Sequence, residues 1–139
     1  MEMRHTFSQA ERLKSKLVID KLFAGGNGSF ASFPLRIVYM KMEKDNELKD
    51  KHKDVPVSIL ISVPKKRFHH AVDRNRIKRL VREAYRINKN ILWDVLADKD
   101  FNLAIAFICI TDTLPEYNKI DKAVVKALNK IAQKYNSNL

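Results

Sequence analysis

Residues 65–89 carry ten Lys or Arg against two acids, Asp73 and Glu83, and no other stretch constrains the chain as strongly. On a helical wheel of about 100° per residue with Arg74 at the origin, Lys78, Lys89, Arg82, Arg86 and Arg79 fall between roughly 40° and 140°. Ile87, Leu80, Ile91, Ala84, Ile77 and Val81 fall between roughly 220° and 340°, with Tyr85 on the border. One face is therefore made for a core, which the rest of the chain has to supply. The other is a stripe of like charges that repel one another by a few tenths of a kcal/mol per i, i+4 pair. Folding alone gives no reason to accept that cost, whereas phosphates remove it, and each one neutralised releases counterions. Five of the seven cations from Arg74 onward are Arg, whose planar fork of donors suits phosphate oxygens better than the point charge of Lys.

The rest of the composition agrees with a folded polyanion binder. At 139 residues, 45% apolar and 31% charged, the chain is read as one domain over 1–139, able to bury a core under a charged surface. Twenty-seven Lys and Arg against 16 Asp and Glu leave a net charge of +11, of which residues 65–89 hold eight. Such an excess points to nucleic acid first and to an anionic membrane second. A single cysteine, Cys109, rules out an internal disulfide and a cysteine-based zinc site, and suggests a reducing cytoplasm. The longest apolar run, residues 103–110, falls far short of the roughly 20 residues of a membrane span. The N-terminus lacks a signal-peptide core, so a soluble cytoplasmic protein without a membrane partner is expected.

Punctuation is sparse, and the cluster Gly25, Gly26, Asn27, Gly28 predicts the end of a first helix packed through Leu13, Leu17 and Leu22 or Phe23. Its start lies at Ser15, or at Ser8 with Glu11 completing a capping box, and Ser15 is preferred. Residues 33–42 and 57–63 read as strands joined in an antiparallel hairpin, with 43–56 as a solvated, charge-balanced loop. Residues 101–110 are apolar enough for a central strand covered on both faces. A last helix opens at Asn118 with Asp121 and buries Ile120, Val124, Leu128, Ile131 and Tyr135. Trp93 with Asp94, Asp98 and Asp100 reads as a wedge and its connecting loop.

The run from Arg74-Asn75-Arg76 through Lys78-Arg79, Arg82-Glu83-Ala84-Tyr85 and Arg86 resembles the signature of the bacterial ribonuclease P protein component. Ala71-Val72 and Ser62-Val63-Pro64-Lys65-Lys66 precede it as in that family, and the likeness extends to Arg12-Leu13, Phe23 and Gly26. The resemblance implies an α/β (α+β) sandwich of order αβββαβα, with a left-handed βαβ crossover, like the second domain of a small-subunit ribosomal protein. It implies a protein subunit of a ribonucleoprotein that removes 5′ leaders from precursor tRNA, the RNA performing the hydrolysis with Mg2+. Carried over by position, Arg74, Asn75, Arg76, Lys78, Arg79, Arg82 and Arg86 face the catalytic RNA. Phe23, Ser62, Lys65 and Lys66 face the leader, as does Arg36 or Ile37 on the first strand, the register being open between them. The chain departs from the family pattern at Ile19, at Pro64, at Phe68-His69-His70 in place of a glycine-containing turn, and at the end of strand 103–110, which lacks an Arg.

Other residues carry simpler readings. Asn75 either caps a helix start or contacts RNA, Asp73 is an N-cap rather than an acid catalyst, and Cys109 is an inert core residue. His69 and His70 are adjacent and suit a loop contact to phosphate better than a shared metal, and His5 and His52 are isolated. Neither a catalytic residue nor a protein-held metal is expected. The rival readings are a structural RNA-binding protein, a DNA-binding repressor that inserts the basic helix into a groove, and an enzyme acting through its own side chains.

Overall fold

The structure, a computed structural model, describes residues 7–25, 27–43 and 55–136. Gly26, His5, His52 and most of the charged segment 43–56 lie outside them. The two candidate helix starts both form, one after the other. Glu11 accepts from the Ser8 backbone N–H at 2.7 Å and from its hydroxyl at 3.0 Å, closing a short 3-10 turn over Gln9–Glu11. Ser15 then caps α1 (Lys16–Leu22), its Oγ accepting from Val18 N–H at 3.3 Å. That helix stops where the glycine cluster predicts. Asn27 Nδ2 donates to the carbonyls of Lys21 and Leu22, both at 2.9 Å, and Gly25 adopts φ +101°, a left-handed conformation that L side chains rarely take.

Four strands follow: β1 (Gly28–Ser32), β2 (Leu35–Glu43), β3 (Val57–Ser62) and β4 (Phe101–Cys109). They lie in the order β1-β2-β4-β3. β1 and β2 are antiparallel, β2 and β4 antiparallel, β3 and β4 parallel. The expected hairpin between 33–42 and 57–63 is therefore corrected: β4 separates these strands. The physical reason lies in β4, whose residues 103–107 are buried without a break, so it needs a strand on each side and a layer on each face. The actual hairpin is β1–β2. Its first strand, GSFAS, is too short and too poor in β-branched residues to announce itself. Gly28 is required there, because a Cβ would lie 2.3 Å from the ring of Tyr39, its partner in the register.

Between β3 and β4 run α2 (Ala71–Asn88) and α3 (Asn90–Leu96), the βαβ unit with parallel strands that the resemblance implies. α4 (Tyr117–Asn136) closes the chain. Of the residues read as a wedge and its connecting loop, Trp93 and Asp94 lie in α3, which buries Leu92 and Leu96, and Asp98 and Asp100 lie in the connection that follows. Alternate residues of the sheet face opposite layers. Leu35, Ile37, Val57, Ile59, Leu103, Ile105 and Phe107 join the core beneath α2, α3 and α4. Ala104 and Ala106 pack under Leu13 and Leu22, the latter from α1, on the other face. α4 buries Ile120, Val124, Leu128 and Ile131 as its spacing predicts. Among the described residues no helix is long and apolar enough to cross a membrane.

Candidate nucleic-acid interface

α2 rests its inner face on the core through Ile77, Val81, Ala84 and Tyr85, all fully buried. Three details of the helical wheel are corrected. Tyr85 is enclosed rather than at the border, because its ring meets Phe7 and Phe107 edge-on at 6.2 Å and its hydroxyl accepts from Trp93 Nε1 at 2.9 Å. Lys89 leaves the cationic stripe altogether. Its Nζ donates to Glu11 Oε1 at 2.8 Å, and lies 4.4 Å from the centre of the Trp93 ring. Ile87, assigned to the core, is exposed instead.

The remaining cations form the outer face. Asn75, Arg76 and Arg79 are exposed, and Arg74, Lys78, Arg82 and Arg86 are half-buried. Asp73 lies in the first turn of the helix, whose N-cap is His70, so the predicted Asp73 cap is corrected; no side chain caps this end. Asn75 lies a turn further in and is no cap either. Arg74 serves the fold in part: its Nη1 donates to the carbonyls of Phe68 and His69 at 2.9 and 2.8 Å. This anchors the turn in which Phe68-His69-His70 replaces glycine, with Phe68 buried in the core. Arg86 is held by Glu83 through contacts of 3.2 and 2.6 Å, and this bond keeps the Glu83 carboxyl below its usual range.

The electrostatic centre of the face is Arg82. Burial, followed by the Arg12 and Arg79 guanidiniums, pushes it below the ordinary arginine range. Arg12 thus joins a cluster in which no local pattern would place it. It comes from the segment pairing with the outer edge of β3, where Leu13 N–H donates to the Ile59 carbonyl at 2.8 Å, and its guanidinium lies 5.3 Å from the Phe7 ring centre. Arg12 and Arg79 each repel the Arg82 guanidinium, and a phosphate placed beside Arg82 would relieve that repulsion.

A second set of candidate residues meets on the α1 face of the sheet. Arg36 pairs in register with Ile108, and Ile108 with Ser62, so the three form one row across β2, β4 and β3. Of the two residues between which the first-strand position was left open, Arg36 is exposed on this face and Ile37 is fully buried beneath the opposite layer. Lys65 and Lys66 follow β3 in an exposed turn. Phe23, the C-cap of α1, is 46% exposed, since Leu22 fills the core position beside it. Leu17, expected to pack, is 67% exposed; Val18, Ile19 and Leu22 face the sheet instead. Cys109 is buried, and burial raises its thiol above the usual range.

A family model described as Ribonuclease P matches residues 7–135. The chain belongs to the ribonuclease P protein family. A relative named ribonuclease P protein component, from Porphyromonas gingivalis, is 43% identical over 125 residues, covering 90% of this chain and 85% of that protein. Another of that name, from Chlorobaculum tepidum, is 34% identical over 117 residues, covering 80% and 73%. The fold agrees with two solved ribonuclease P proteins. That of Thermotoga maritima gives a TM-score of 0.63 at 19% identity, covering 86% of this chain and 96% of its own. That of Staphylococcus aureus gives 0.60 at 23% identity, covering 92% and 100%. As a ribonuclease P protein component, the chain is one part of a ribonucleoprotein endoribonuclease and has an RNA partner.

Proposed function

We propose that this protein binds the catalytic RNA of ribonuclease P through the outer face of α2 and the 5′ leader of precursor tRNA through the α1 face of the sheet. The observation that carries the reading is the separation of two exposed polar surfaces by one apolar sheet. Arg76, Arg79 and Arg82 stand on the α2 side, and the row Arg36–Ile108–Ser62 stands on the other. Guanidiniums suit a folded RNA backbone, and an exposed ring such as Phe23 beside cations suits an unpaired strand, which is held by charge plus stacking. Lys65 and Lys66 add charge at the end of β3.

In this reading hydrolysis belongs to the RNA, and the protein strengthens substrate binding in the cytoplasm. Mg2+ belongs mainly to the RNA and substrate. The test is cleavage of a precursor tRNA by a bacterial ribonuclease P RNA at low Mg2+, with and without the protein. Restored removal of the 5′ leader supports the proposal. Tight binding of the RNA without restored cleavage favours a purely structural RNA-binding role.

A further inference from the structure

The outer face of α4 is a second cationic surface, which the reading of α2 leaves unused. Its exposed cations are Lys119, Lys122, Lys126, Lys130 and Lys134, and every other exposed position of the helix is Asn or Gln. At about 100° and 1.5 Å per residue, the five lysines fall within an arc of about 120° and span about 22 Å. The one acid of the helix, Asp121, is half-buried and accepts from Asn88 Nδ2 at 2.9 Å. Lys122, Lys126, Lys130 and Lys134 follow at i, i+4 spacing, each pair mildly repulsive. Lys119 and Lys122 also lie near the positive end of the helix dipole, so helix stability does not account for them.

Aromatic rings fix the ammonium groups at the C-terminal end. Lys130 Nζ lies 4.5 Å from the centre of the Phe30 ring on β1, and Lys134 Nζ lies 5.3 Å from that of Tyr39 on β2. Lys41, from β2, lies 4.4 Å from Phe101 and 5.5 Å from Tyr135. Lys41, Lys134, Tyr39 and Tyr135 line a recess of about 360 Å³. Held over rings, these side chains lose less freedom when an anion binds. α4 covers β1 and β2, whereas α2 packs against β3, so the two cationic faces stand over opposite edges of the sheet.

We propose that the lysine face of α4, together with Lys41, binds the phosphodiester backbone of RNA at a second place, separate from that on α2. The inference rests on the reading that the partner is an RNA. Lysines act as point charges without the fork of Arg, so this contact positions an RNA segment without reading its bases.

The experiment measures binding of the full chain to a bacterial ribonuclease P RNA transcript over a range of salt. Four proteins are compared: wild type, Lys122→Gln/Lys126→Gln/Lys130→Gln on α4, Arg79→Gln/Arg82→Gln on α2, and Lys14→Gln/Lys16→Gln/Lys21→Gln. The last loses the same charge from exposed positions in and before α1, on the opposite face. The α4 variant is expected to flatten the slope of log K against log[salt] by about two to three, at about 0.7 to 0.9 per phosphate left unneutralised, while the α1 control stays near wild type. Equal slopes for the α4 variant and the control overturn the proposal. So does a loss confined to anionic phosphatidylglycerol vesicles, which makes the face a membrane contact. A wild-type slope for the α2 variant, whatever the α4 variant does, sinks the α2 reading instead.

Discussion

Lys89 Nζ lies 2.8 Å from Glu11 Oε1 in a place where the two side chains are 3% and 2% exposed, and this contact ties the N-terminal turn to the end of α2. The pair is well surrounded: Ser8 donates twice to the same carboxylate, and Trp93 covers the ammonium. Breaking a buried pair from one side leaves an uncompensated charge. Glu11→Leu is therefore expected to destabilise the protein by about 3 to 5 kcal/mol, whereas Glu11→Leu with Lys89→Met recovers most of that loss. Urea unfolding of the two variants checks this; equal losses in both would show that packing, not charge, holds the turn.

Gly28→Ala places a methyl carbon 2.3 Å from the ring of Tyr39, its partner in the strand register, so that something must shift. A loss of about 1 to 3 kcal/mol is expected from such overpacking. Thermal unfolding in a Tyr39→Ala background, where the same glycine substitution should cost far less, separates the clash from a backbone effect.

Arg79 and Arg82 belong to the guanidinium cluster that Arg12 completes. Changing both to Gln should lower the salt slope of RNA binding by about 1.4 to 1.8, in proportion to the phosphates left unneutralised. Arg12→Gln should add to that effect, since the three charges share one locality. A slope unchanged by all three substitutions would remove α2 from the interface.

Phe23 is a surface residue, so Phe23→Ala should change stability by no more than about 0.5 kcal/mol. Its expected effect is on substrate: affinity for precursor tRNA falls while affinity for mature tRNA holds, because only the former carries an unpaired leader to stack. Competition binding with the two tRNAs reads the ratio directly. An equal loss on both would take the leader away from Phe23.

The basic helix, the central strand and the last helix were legible from local pattern. Their signals are periodic, and burial in this fold follows the period: Ile77, Val81 and Ala84 go inward together, as do Ile120, Val124, Leu128 and Ile131. Family likeness in the Arg74–Arg86 run carried the identification, since a charge pattern alone fits several RNA-binding folds. Strand pairing was another matter. β2 and β3 neighbour each other in sequence, but the most apolar strand of the chain takes the place between them, a preference set by total burial that no local window reports.

The same division runs through individual charges. In the sequence Lys89 is one more cation on a stripe and Glu11 a helix-capping acid 78 residues away, and only the closed fold makes them a buried pair. Arg74 likewise turns out to be bound in part to the loop before its own helix, and Arg12 to complete a cluster on a helix it does not belong to. Periodicity determined which faces of α2 and α4 point to water, because it is a property of one helix. Which of the charges there remain open to a partner was decided by contacts between distant segments, because a neighbouring carboxylate, carbonyl or ring settles each one.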